Sequence, residues 1–151
     1  KTGRLFEAAA KTGAIIANEN KAFNYNVSEC AKNLGILFQI TDDLLDYSDN
    51  KKIGKPVFQD IKEGKVTYPF FYAYKNANTR EKKRLKGLLG ASRDLKSKDL
   101  ELITSLDGIK KTKQLAEKYH MKAVGYAKKI KDLDIRKEMI ELANTALNRD
   151  K

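Results

Sequence analysis

The sequence predicts an all-α bundle. Apolar residues recur at the i, i+3, i+4 spacing of helices along most of the 151 residues, and alternating strand-type patterns are nearly absent. No internal repeat and no Pro/Ser-rich linker divides the chain, so residues 1–151 read as one all-helical domain.

The elements follow in order. Leu5, Ala8, Ala9, Thr12 and Ile16 keep helical spacing and predict a helix over residues 1–17. A break near residues 18–24 precedes a long helix over about 27–47, with Leu34, Leu37, Ile40, Leu44 and Leu45 as its apolar stripe. Residues 48–64 hold Gly54, Pro56 and Gly64 among lysines and read as a loop. Thr67 is placed to cap a helix with Pro69 in its first turn, where proline is tolerated. Further helices fit 67–77, 79–90, 98–104, 108–131 and 133–149. Tyr25, Tyr47, Phe70, Phe71 and Tyr72 read as core aromatics and Cys30 as a packing residue.

Composition narrows the function. Hydrophobic residues make up 41%, enough for a core and too many for a disordered chain. No apolar run reaches the ~18 residues that span a bilayer. Cys30 is the single cysteine, which excludes an internal disulfide and suits a reducing cytoplasm. His120 is also alone, so a metal would be held by oxygen ligands, favouring Mg²⁺ over zinc.

The net charge of +11 is unevenly spread. Residues 1–50 hold five Lys/Arg against seven Asp/Glu, and residues 51–151 hold twenty-six against thirteen. Such asymmetry suits nucleic acid, a peripheral contact with an anionic membrane, or a phosphorylated small molecule. The bland reading is a solvated lysine surface, and Lys110, Lys111, Lys113, Lys118 and Lys122 fit it, lying on polar helix faces. Nucleic acid is not expected, because no basic face with base-reading or stacking groups is visible.

The stretch FQITDDLLD, residues 38–46, carries the chemistry. Gln39, Asp42, Asp43 and Asp46 sit at i, i+3, i+4 and i+7 and share one helix face. Like charges one turn apart repel by roughly 0.2–0.5 kcal/mol per pair, so a bound cation is the natural compensation. The loop that follows reads GKPVFQDIKEGKVTYP, with Gly54-Lys55 and Gly64-Lys65 as two Gly-Lys pairs. It is no Walker A loop: Gln59 stands five residues before Gly64, and Val66 replaces the hydroxyl residue. Carboxylates hold Mg²⁺, Mg²⁺ holds phosphate oxygens, and lysines neutralise the remaining charge. A diphosphate ester is the ligand that fits.

FQITDDLLDYSDNKKIGKPVFQDIKEGKVTYP closely resembles the second aspartate-rich region of the trans-isoprenyl diphosphate synthases, FQxxDDxxD…GKxxxxDxxxGKxTxP. KTGRLFEAAAKTGAIIAN is similar to the Lys-Thr helix of that family, and MIELANTALNRDK to the closing helix of its longer-chain, octaprenyl-type members. The resemblance implies the C-terminal half of the isoprenoid synthase helical bundle. The family's first aspartate-rich motif and its paired arginines have no counterpart here, and the chain begins at Lys1 rather than methionine. The expectation is therefore a missing N-terminal half, without which the chain is inactive.

The resemblance also implies roles. Asp42 binds Mg²⁺ directly, with Asp43 and Asp46 as further or water-mediated ligands. Lys1, Lys55 and Lys65 grip the allylic diphosphate, and Thr2 accompanies Lys1. Phe38 and Gln39 face the isoprenoid chains, and Asp60 supports the site, while Gln59 stands where many members have another aspartate. The implied reaction condenses isopentenyl diphosphate with an allylic diphosphate, in a homodimer. A terpene cyclase more often carries an NDxxSxxxE-type second motif; Asp46 in the third acidic position points to chain elongation. The alternative is a non-catalytic regulatory subunit of a heteromeric synthase, which would have no need of an intact DDxxD and its loop lysines.

Overall fold

Helical spacing in the sequence becomes eight α-helices and no β-strand among the described residues. They are α1 Thr2–Ile16, α2 Lys21–Leu45, α3 Gln59–Lys62, α4 Tyr68–Asn76, α5 Thr79–Lys86, α6 Ser97–Ser105, α7 Gly108–Ala127 and α8 Leu133–Leu147. The structure, a computed structural model, describes residues 1–48, 58–92, 95 and 97–149. Two compact units divide the chain, one of Lys1–Thr41 with Ala116–Arg149, the other of Asp42–Leu115. No helix among the described residues is long and apolar enough to cross a membrane.

In the first unit α1 lies on α2 at a pair of glycines. A Cβ on Gly35 would come within 2.9 Å of Gly3 Cα and of Phe6 Cγ, and one on Gly3 within 2.8 Å of Ile36. Only hydrogen fits at both positions. Ala14 is the buried residue of α1, whereas Leu5 is 69% and Ile16 79% exposed. The stripe Leu5, Ala8, Ala9, Thr12, Ile16 thus marks the helix correctly but lies on its outward side. Gly3, Ala14 and the ring of Phe6 make the inward face, with glycine required where the backbones approach so closely.

α2 begins at Lys21, earlier than the expected 27. Asn18 adopts φ 55, turning the chain sharply, and the Asn20 side chain then accepts from the backbone N–H of Phe23 at 3.0 Å. That cap satisfies a donor of the first turn, so helix formation starts at once. Along α2, Cys30, Leu37 and Ile40 are fully buried, as the stripe predicted for the last two. Near the other end of this unit, Arg136 donates to the carbonyls of Ile130 at 2.7 Å and Lys131 at 3.2 Å. The Asp132 side chain accepts from Ile135 N–H and caps α8. Together these end the preceding turn and start the next helix, which is why α7 stops at Ala127 and not near 131.

The core of the second unit gathers Tyr47, Phe58, Ile61, Phe70, Ala73, Leu85, Leu88 and Ile103. Tyr47 and Phe70 are core, as expected; Tyr25 and Phe71 are not, being 59% and 49% exposed. α5 is short because its polar surface has little to bury beyond Leu85; it is held by a capping box in which Asn78 and Glu81 exchange side-chain and backbone hydrogen bonds. The expected extension of α5 to residue 90 becomes turns ending at Gly90, φ 66.

Candidate functional site

Residues 48–64, expected to be irregular throughout, contain the short helix α3 at Gln59–Lys62. Its entrance is made by two features. Phe58 takes the left-handed conformation with φ 63, and its ring is buried against Tyr47 at 5.8 Å between centroids. Asp46 then accepts from Gln59 N–H at 2.8 Å through Oδ1 and from Asp60 N–H at 3.2 Å through Oδ2. A carboxylate set on the free N–H groups of a first turn is the arrangement a helix N-terminus favours. The third aspartate of DDLLD is therefore the remote cap of α3.

The exit of α3 is built by Gly64. At φ 76 it occupies the left-handed position that glycine takes without strain. Gly64 N–H donates to Ile61 C=O at 2.9 Å and Lys65 N–H to Asp60 C=O at 2.9 Å, the two bonds of a Schellman cap. This turn carries Lys65 back over α3. Its ammonium lies 2.9 Å from Asp60 and 2.7 Å from Glu63. Hydrogen bonds to Glu63 and then Asp60 raise the Lys65 pKa above its ordinary value, and the Lys65 hydrogen bond lowers that of Glu63.

Asp43 is 7% exposed and accepts from Tyr68 N–H at 2.9 Å. Thr67 does occupy the N-cap position of α4, with Pro69 in the first turn, but its side chain makes no cap hydrogen bond. Its hydroxyl meets the Tyr47 hydroxyl instead. The Asp43 carboxylate from α2 serves the first turn of α4 in its place. Asp42, the first aspartate of the motif, is exposed.

Burial pushes the Asp46 carboxyl up to about 6; the hydrogen bonds from Gln59 and Asp60 oppose this, and the charges of Asp60 and Asp43 add to it. A nearby cation would reverse that direction by favouring the charged form. The donors in this stretch are carboxylate oxygens, with no thiolate or imidazole in FQITDDLLD, which suits a hard cation such as Mg²⁺. Among the described residues no group of three or more His, Cys, Asp and Glu side chains converges as a metal cage. Asp43 and Asp46 are turned onto backbone N–H groups, yet each carboxylate oxygen that accepts one hydrogen bond keeps acceptor capacity. The residues fit the ion.

In the first unit Lys1 is the exposed N-cap residue of α1, its carbonyl accepting from Arg4 and Leu5 N–H. The Thr2 hydroxyl donates to the Gln39 side-chain oxygen at 3.1 Å, so the Gly3–Gly35 approach brings two of the expected substrate residues together. Phe38 is half-buried, packed against Phe6 with ring centroids 6.0 Å apart. Lys55 lies outside the described residues, as do Gly54 and Pro56. Sequence reasoning missed Glu63 as a partner of Lys65 and Arg149 as a neighbour of Phe38. Nothing in local spacing signals either contact.

An all-α fold with these motifs in this order defines the class. The profile described as Polyprenyl synthetase matches residues 1–106, and the chain belongs to that family of prenyltransferases. It is 33% identical over 154 residues to the octaprenyl diphosphate synthase of Escherichia coli (strain K12), covering 100% of this chain and 48% of that protein. Among solved structures, geranylgeranyl pyrophosphate synthetase from Pyrococcus horikoshii Ot3 superposes with a TM-score of 0.89 at 35% identity, over 99% of this chain and 46% of that one. The Caulobacter crescentus CB15 polyprenyl synthase complexed with calcium and isoprenyl diphosphate gives 0.86 at 31% identity, over 100% of this chain and 47% of that one. The chain thus spans about half the length of the relatives it matches.

Proposed function

We propose that this chain carries the second aspartate-rich site of a Mg²⁺-dependent polyprenyl diphosphate synthase, one that condenses isopentenyl diphosphate with an allylic diphosphate. The observation that carries the reading is the placement and exposure of the three carboxylates of DDLLD. Asp43 and Asp46 are engaged by backbone N–H groups at α4 and α3, while Asp42 stays exposed on the last turn of α2. The relative complexed with calcium and isoprenyl diphosphate supports both the ligand class and a divalent ion.

In this reading Asp42 is the principal Mg²⁺ ligand and Asp43 and Asp46 complete the carboxylate set. Mg²⁺ would supply charge neutralisation for the departing diphosphate. Lys65 and Lys55 bind the departing diphosphate, an interaction that strengthens as charge develops on the leaving group and so lowers the barrier. Asp60 and Glu63 hold Lys65 in a defined place until phosphate oxygens compete for it. Thr2 orients Gln39, and Phe38 offers an apolar wall to the prenyl tail, helping to exclude water from an allylic cation.

The test is thermal stabilisation of the 151-residue chain by inorganic diphosphate and by farnesyl thiodiphosphate, each with and without Mg²⁺. A ligand at 100 times its Kd stabilises by about 2.7 kcal/mol. Stabilisation should require Mg²⁺ and should largely vanish in Asp42→Asn. Equal stabilisation without Mg²⁺ would sink the reading. Turnover separates the catalytic reading from the regulatory one. The chain alone should give no condensation, and adding a polypeptide with the other aspartate-rich motif should restore it, with loss again in Asp42→Asn. Restored turnover that ignores Asp42→Asn would favour a regulatory subunit.

A further inference from the structure

Arg149 follows Asn148, the C-cap residue of α8, and its guanidinium carbon lies 4.1 Å from the centroid of the Phe38 ring. That is well inside the ~6 Å within which a cation is attracted to an aromatic face. A planar guanidinium is also the side chain best suited to stack on a ring. Phe6 of α1 lies on the ring as well, its plane tilted by 38°. Phe38 is therefore held by residues from the start of α1 and the end of α8, while its neighbour Gln39 accepts the Thr2 hydroxyl. Two segments far apart in sequence, the start of α1 and the end of α8, meet at two consecutive residues of α2. Both Arg149 and Phe38 are half-buried, so the stack is partly shielded from water, which strengthens it.

The geometry points to Arg149 as a positioning residue for the prenyl tail of an allylic diphosphate, acting through Phe38. This rests on the reading of Phe38 as the wall that meets the tail. A ring free to turn offers a shifting surface to an apolar chain. A ring in contact with both a guanidinium and a second aromatic offers a fixed one, and less freedom is lost when the ligand arrives. The diphosphate end of the ligand is held by other groups, so the two ends of the molecule report on different residues. A merely structural arginine that pins α8 would not distinguish them.

The experiment is calorimetric titration of the 151-residue chain in Mg²⁺ with two probes, inorganic diphosphate and farnesyl thiodiphosphate. Arg149→Ala should weaken farnesyl thiodiphosphate about three- to tenfold, the range of one partly buried cation–aromatic contact, and leave inorganic diphosphate unchanged. Arg149→Lys, which keeps the cation, should recover part of the loss. In a Phe38→Leu background Arg149→Ala should have no further effect, because the stack is already gone. A partly unfolded variant lowers both affinities alike, so the ratio of the two remains diagnostic. If Arg149→Ala weakens both probes equally, or neither, or retains its full effect in Phe38→Leu, the positioning role is wrong. If the unaltered chain binds neither probe, the diphosphate-site reading itself fails and this inference falls with it.

Discussion

The Asp43 carboxylate accepts a hydrogen bond from the backbone N–H of Tyr68 at 2.9 Å, across 25 residues of sequence. It ties the last turn of α2 to the first turn of α4, doing what the Thr67 side chain does not do. Asp42 and Asp43 are adjacent and chemically identical, yet one is exposed and the other buried. Their substitutions should therefore diverge. Asp43→Ala should cost about 1.5–3 kcal/mol, the loss of a hydrogen bond to a charged group. Asp42→Asn should leave stability unchanged or raise it by about 0.2–0.5 kcal/mol through relieved repulsion. Urea denaturation without Mg²⁺ measures both, and equal losses would mean that the two carboxylates are not divided between structure and ligand.

The contact between Gly3 and Gly35 predicts a sharp contrast among glycines. A Cβ at Gly35 meets atoms at 2.9 Å, whereas one at Gly13 meets nothing within 4 Å. Gly35→Ala should destabilise by about 1–3 kcal/mol through overpacking. Gly13→Ala, in the same helical setting with open space, should stabilise by about 0.5–1 kcal/mol. Because Gly35 also sits against Phe6, which packs on Phe38, its substitution should disturb the Phe38 ring signals in an NMR spectrum. Gly13→Ala should leave them in place.

Lys65 is tied to two carboxylates, but its side chain remains 59% exposed, so the ion pairs contribute little stability. Lys65→Ala should hardly change the melting temperature. It should weaken Mg²⁺-dependent diphosphate binding by about 1.5–3 kcal/mol, the range for one charge-assisted contact. Lys110→Ala, on a solvated face, should change neither. Equal weakening at Lys65 and Lys110 would assign binding to the general positive charge of the chain.

Cys30 is fully buried, and desolvation pushes its thiol from 9.0 up to about 11. The folded value lies above the unfolded one, so the fold favours the neutral thiol. Its stabilising contribution is complete below about pH 9 and is lost as pH rises through about 11. Wild type should therefore lose stability over that window by more than Cys30→Ala does. Iodoacetamide at pH 8 should modify folded Cys30 far more slowly than the denatured chain. Comparable rates would show the thiol to be accessible.

Helices and motif were legible in the sequence because both are local. A helix declares itself through residues three and four apart, and FQITDDLLD with its Gly-Lys pairs lies within one short stretch, so the all-α fold and the family could be read from residue order alone. What the order could not say was which face of α1 would be inward. Periodicity reports that a stripe exists, and the close approach of Gly3 to Gly35 selected the side of Gly3, Phe6 and Ala14 over Leu5 and Ile16. Likewise α3 escaped notice because its cap, Asp46, stands 13 residues upstream, and a four-residue helix has no periodicity of its own. The same holds for Asp43 on Tyr68 and for Arg149 on Phe38. Sequence determined which residues could form helices and which family the chain belongs to. Tertiary structure decided which carboxylates would be spent on backbone N–H groups and which ring would meet the guanidinium, because those contacts join residues that only packing brings within hydrogen-bonding or stacking distance.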